Sequence, residues 1–122
     1  MNLIEKELTH KIIGAAIEVS NELGCGFLEG VYEKALAIAM REKELKVAEQ
    51  VPLFVRFRGL VVGEFFADTL VEDRVIVELK VVHALAPERE AQLLNYLKAT
   101  DVKVGLLINF GRPKLEWSRF VH

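Results

Sequence analysis

Cysteine is almost missing from this chain of 122 residues: Cys25 is its single one. That excludes an internal disulfide and fits a reducing cytosol, so a cytoplasmic location is expected. No His stands near Cys25 in sequence and no cysteine-enzyme signature surrounds it. Flanked by Gly24 and Gly26, it reads as a small turn or core residue rather than a nucleophile. Long apolar runs are missing too, and none approaches a membrane span, so no membrane partner is expected. The segment Met1-Asn2-Leu3-Ile4-Glu5-Lys6-Glu7 is too charged to read as a signal peptide. Charge of one sign is not in excess. A formal net charge of -2 exerts no global pull on a polyanion, so nucleic-acid binding needs a local basic surface or bound cations. Repeats, linkers and low-complexity stretches are absent. What remains is a composition 52% hydrophobic and 28% charged, which argues against disorder. The length suits a single domain over residues 1–122 that buries its own core.

Apolar residues at Ile4, Leu8, Ile12, Ala15, Ala16, Val19 and Leu23 follow helical spacing, with Asn2 as the expected N-cap. Gly24-Cys25-Gly26 ends that helix. A second helix is expected from Leu28 to Lys43, with Tyr32, Leu36, Ala39 and Met40 on one stripe. Pro52 marks the start of a β-region, and Val51–Phe57, Val61–Val71 and Val75–Val82 read as three successive strands. Their turns fall near Arg58-Gly59 and Glu72-Asp73. Pro87 opens a third helix, at the position where its missing N–H costs nothing, and this helix ends near Ala99. Val104–Phe110 is a buried strand and Lys114–Val121 a more polar edge strand. The order α-α-β-β-β-α-β-β predicts an antiparallel meander. The Pro87 helix then crosses over to bring in the Val104 strand, giving an α/β mixed sheet flanked by helices.

Two charges interrupt the most apolar strand. Glu78 and Lys80 lie two residues apart, hence on one face of what should be the central strand, where unpaired charge is expensive. A divalent metal such as Mg²⁺ or Mn²⁺, held by Asp68 and Glu78 with Lys80 beside it, accounts for them, since hard cations take oxygen ligands. The register decides whether this works. A two-residue turn at Glu72-Asp73 pairs Asp68 with Val77 and throws the two acids onto opposite faces. A three-residue loop, Glu72-Asp73-Arg74, pairs Asp68 with Glu78. The plain alternative is an amphipathic strand whose Glu78 and Lys80 face water.

Two further pairs are ordinary taken singly. Gln92 and Tyr96 share a face of the Pro87 helix. Glu29 follows Gly26 in the first turn of the second helix, where an acid suits the helix dipole, and shares a face with Tyr32. In combination, Gly26-x-x-Glu29-x-x-Tyr32, Asp68, Glu78-x-Lys80 and Gln92-x-x-x-Tyr96 resemble the GxxExxY proteins of the PD-(D/E)XK nuclease superfamily. The resemblance covers nearly the whole chain. It departs where Ala67, not proline, precedes the first acid. It implies a restriction-endonuclease-like core and a metal-dependent phosphodiesterase acting on nucleic acid, DNA before RNA. Asp68 and Glu78 would bind Mg²⁺, with the Leu79 carbonyl as a candidate further ligand, and Lys80 would be the catalytic lysine. Glu29 would position a water, and Gln92 and Tyr96 would orient the site or the phosphate. One small domain covers little DNA, which points to a homodimer or a larger partner.

Two rival functions use the same residues: a non-catalytic nucleic-acid or protein-binding module, and a hydrolase of small phosphoesters. Arg56, Arg58, Lys98, Lys103, Arg112 and Lys114 are spread through the chain and read mostly as solvated charges. His83 reads as a polar strand-end residue, while Trp117 is either packed or a dimer contact.

Overall fold

The structure, a computed structural model, describes residues 5–122. Asn2 and Ile4 lie outside the described residues. The chain forms α1 (Lys6–Leu23), α2 (Glu29–Glu42), β1 (Val47–Phe57), β2 (Leu60–Val71), β3 (Val75–Lys80), α3 (Pro87–Ala99), β4 (Val104–Asn109) and β5 (Glu116–Val121). The strands make one sheet in the order β1-β2-β3-β4-β5. Only β3 and β4 pair in parallel, joined by the α3 crossover. This is the mixed α/β arrangement of a restriction-endonuclease-like core, with β3 at its centre.

Helices α1 and α2 cover one face and α3 the other. Ile12, Tyr32, Leu36 and Met40 are fully buried against Val77, Leu79, Leu106 and Ile108. Each such aliphatic side chain contributes about 1.5–3 kcal/mol over an exposed one. Ala15 and Ala16 are also fully buried, and their small size lets α1 approach closely. On the other face Leu93 and Leu97 of α3 pack on Ile76 and Leu107. A Cβ at Gly105 would stand 2.9 Å from Leu93 Cδ1, so the missing side chain is what lets α3 close on β4. Covered on both sides, β3 is buried from Val75 to Leu79 and β4 throughout, which is why both read as nearly unbroken apolar runs.

Some boundaries differ from expectation. Strand β1 begins at Val47 rather than Val51, with Pro52 inside it. As an edge strand, β1 tolerates the missing N–H. Strand β3 stops at Lys80 rather than Val82 because the buried Asn109 captures Val82. The Val82 N–H donates to Asn109 Oδ1 at 3.0 Å, and Asn109 Nδ2 donates to the Val82 carbonyl at 2.9 Å. Leu23, expected on the core stripe, is 37% exposed at the end of α1.

The β2–β3 register is Val71↔Val75, Leu70↔Ile76 and Thr69↔Val77. The connection is therefore the three-residue loop Glu72-Asp73-Arg74. It is closed by the Arg74 N–H on the Val71 carbonyl at 3.0 Å, with Glu72 and Asp73 both left-handed at φ 54° and 57°. That parity carries Asp68 and Glu78 to the same level of the sheet.

Candidate active site

The β2–β3 ladder ends at Thr69↔Val77, and beyond it side chains take over from the backbone. The Asp68 N–H donates to Glu78 Oε1 at 3.3 Å, and the Leu79 N–H donates to Asp68 Oδ2 at 2.8 Å. Two carboxylates are thus wedged between parting strands, each held by the other strand's backbone. Glu78 is only 9% exposed. Burial, and then the neighbouring charge of Asp68, pushes its carboxyl up to about 8, with Lys80 opposing the shift. Without a cation, Glu78 keeps a proton at neutral pH. A pair of crowded oxygen donors that needs a proton when alone is a donor set suited to a hard divalent ion, which takes one or two carboxylates and leaves room for water and phosphate. Among the described residues, no group of three or more His, Cys, Asp or Glu side chains is arranged to hold a metal.

Lys80 is half-buried at the end of β3. Its carbonyl accepts the Phe110 N–H at 2.9 Å, and Asn109 clamps the next turn of chain. Asn109 also accepts the Gly111 N–H at 2.9 Å and donates to Glu116 Oε1 at 3.1 Å. This satisfied polar cluster fixes the exit of β3, and hence the root of Lys80.

Helix α3 brings Tyr96 to the carboxylates. Its phenol is held above its usual range by partial burial and by the charges of Glu78 and Asp68, while a hydrogen bond from Gln92 works the other way. At neutral pH it stays a hydroxyl donor. The Tyr96 ring stacks on Phe65 of β2, centroids 3.6 Å apart and planes 11° from parallel. Gln92 is exposed one turn earlier.

Helix α2 carries a second acid besides Glu29. Glu29 is exposed in the first turn and makes no side-chain hydrogen bond or ion pair among the described residues. Glu33, one turn on, is half-buried and accepts a hydrogen bond from Gln50 Nε2 at 2.9 Å. Burial and the charges of Asp68, Glu49 and Glu29 raise its carboxyl, and the Gln50 bond lowers it. Gln50 sits in the left-handed region at φ 50°, inside a strand. Pairing steps from Glu49↔Thr69 to Val51↔Ala67, which brings Gln50 opposite Asp68. A non-glycine residue held this way costs on the order of 1 kcal/mol or more, and such kinks gather at functional sites. The only sequence signal for Glu33 was its place four residues after Glu29 on the same helix face; Gln50 had none.

Tyr32 of the Gly26-x-x-Glu29-x-x-Tyr32 motif is structural. Fully buried, it stacks on Phe110 with centroids 4.8 Å apart. Its hydroxyl donates to the Gly24 carbonyl at 2.6 Å and accepts the Phe27 N–H at 3.3 Å. It therefore ties down the α1–α2 loop, whose Gly26 turns at φ 121°, a conformation that favours glycine. The motif thereby sets where α2 begins. Cys25 is exposed in that turn, His83 is exposed after β3, and Trp117 is 45% exposed on β5.

Residues 6–120 match the family model of the PD-(D/E)XK nuclease superfamily. No curated protein and no solved structure matches the chain. Among the described residues no helix is long and apolar enough to cross a membrane.

Proposed function

The chain belongs to the PD-(D/E)XK nuclease superfamily, and we propose that it is a single GxxExxY-type domain that hydrolyses phosphodiester bonds of DNA. In this reading Asp68 and Glu78 hold Mg²⁺ or Mn²⁺. The observation that carries it is the crossed bonding of the two carboxylates, Glu78 to the Asp68 N–H and Asp68 to the Leu79 N–H, where the strands separate. An amphipathic strand facing water has no reason to bury a carboxyl until it retains its proton.

A divalent ion held by Asp68 and Glu78 would polarise a phosphoryl oxygen and lower the pKa of an attacking water. The chain's own residues do the rest. Lys80 offsets charge that develops on the phosphorane-like transition state. The Tyr96 hydroxyl, steadied by Gln92 and by stacking on Phe65, donates to a phosphate oxygen. Glu33, held by Gln50, positions a water, a role the family pattern gives to Glu29. Glu29 then tunes the charge around Glu33. The Leu79 carbonyl is a further oxygen available beside the carboxylates. The single free cysteine suits the cytoplasm, where we place the protein, and a homodimer would extend its coverage of DNA.

Incubation of single-stranded, double-stranded and branched DNA, and RNA, with Mg²⁺ or Mn²⁺ tests this. Metal-dependent cleavage by wild type that Lys80→Ala loses is the expected result. Turnover of a small diester with polymer left intact would make the protein a phosphoester hydrolase instead. Salt-dependent binding with no cleavage, and Mn²⁺ calorimetry unchanged in Asp68→Ala, would make it a binding module.

A further inference from the structure

Strands β1 and β2 outrun the rest of the fold. None of residues 54–64 joins either core cluster. Phe57 is 57% exposed, Leu60 72% and Val62 63%. An apolar arm standing in water marks a partner surface, and three features identify the partner.

The first is charge. Arg56 lies over the Phe54 ring, 6.0 Å from its centroid, and Arg58 over Phe57 at 4.8 Å. Neither makes an ion pair among the described residues. Within residues 54–64 these two arginines stand against one acid, Glu64, a local excess of positive charge on a chain whose net charge is -2. By strand alternation Arg56 shares its face with Phe54, while Phe57 lies on the other face with Arg58 over it at the turn. The second is continuity. The pairs Leu53↔Phe65, Val55↔Gly63 and Phe57↔Leu60 share one face of the arm. Phe65, at its base, stacks on Tyr96. That face leads from the carboxylates to the tip. The third is the free edge of β1. Pro52 interrupts it, and the extra residue of the bulge, Val62, interrupts the edge of β2 that β3 leaves unpaired before Thr69, which disfavours strand addition by a second copy.

We propose that this arm binds a single-stranded stretch of nucleic acid leading into the site, with its phosphates against Arg58 at the tip and unpaired bases on Phe57. Aromatic faces interleaved with arginines suit unpaired bases, because every base offers a π-face and stacking needs no sequence. The inference rests on the nuclease reading for the direction in which the strand runs.

Fluorescence anisotropy of a labelled oligothymidine and of a labelled blunt duplex, in buffer without divalent metal, separates binding from cleavage. Single strand binds more tightly than duplex. Arg58→Ala lowers the slope of log affinity against log salt by about 0.7, the value for one phosphate contact on a single strand, while Arg56→Ala on the other face leaves it unchanged. Phe57→Ala weakens binding about tenfold. An unchanged salt slope in Arg58→Ala, or tighter binding of duplex, overturns the proposal. So does sedimentation showing a dimer that Leu60→Asp dissociates, because the arm would then serve self-association. Lys80→Ala in parallel keeps the two readings apart. Arm-dependent binding by a wild type that never cuts supports the arm and removes the nuclease. Cleavage with wild-type affinity in the arm variants supports the nuclease and removes the arm.

Discussion

Strand β3 and the β1–β2 arm are written in the same kind of residue, yet one is sealed and the other stands in water. Val75, Ile76 and Val77 are fully buried, while Val61 and Val62 are 54% and 63% exposed. The difference lies in what covers them. Strand β3 runs between β2 and β4 with helices on both faces. The arm extends past the last side chains of α3 that reach it, at Leu53 and Phe65. Topology, not composition, assigns the two roles. Charges placed in the sealed strand act in a low-dielectric setting, whereas apolar groups on the arm stand open to solvent.

The largest effects belong to the charges of the sealed region. Lys80→Ala lowers cleavage by about 10²–10³-fold, the loss typical of one group that stabilises a transition state. Its melting temperature stays close to wild type because the Lys80 side chain is only half-buried. Cleavage that survives this change would assign Lys80 to solvation. In stability the two regions separate as sharply. Leu107, 1% exposed on β4, loses about 2–5 kcal/mol as Leu107→Ala. Leu60, 72% exposed on the arm, stays within about 0.5 kcal/mol as Leu60→Ala. Urea titration of the two variants reads this directly, and equal losses would mean that the arm is packed in solution.

Acidity distinguishes the regions next. The Glu78 carboxyl rises from 4.5 to about 8 on folding. Its favourable contribution is complete below the unfolded value and is lost as pH rises through the folded one. The metal-free protein therefore loses on the order of a few kcal/mol between those limits. Thermal melts should show a midpoint that falls as pH climbs, and Glu78→Gln should flatten the profile. Mn²⁺ should restore the midpoint most at the alkaline end, and its calorimetric affinity should climb with pH as the proton is displaced. A flat wild-type profile would place Glu78 in contact with water.

How much of this could be read in the sequence follows the same division. Glu78 and Lys80 stood out because charge inside an apolar strand demands a reason, and the loop parity that carries Asp68 to the level of Glu78 was left for the structure to supply. The order of elements came through because each has its own period and punctuation. The arm did not, because alternating apolar residues look alike whether or not a helix reaches them. Arg58 passed for a solvated charge because its place at the tip, at the end of the face that carries Phe65, exists only after β1 and β2 have paired. Glu33 and Gln50 were silent for a related reason: what they do depends on a kink in one strand and on its register with another.

That kink allows the smallest and most specific prediction. Glycine adopts the left-handed conformation of Gln50 without the cost a side chain carries. Gln50→Gly should therefore fold at least as stably as wild type, by up to about 1 kcal/mol. The same change removes the 2.9 Å partner of Glu33. If Gln50 positions Glu33, cleavage falls several-fold in a protein that is no less stable, and Glu33→Gln falls by a similar factor. Combining the two should add little, because they act through one bond. Gln50→Ala, which keeps the strain and loses the bond, should be both less stable and less active. Activity that simply follows stability across the three Gln50 forms would make the kink a feature of the fold alone. Activity that follows the hydrogen bond would place Gln50 among the residues that position the site.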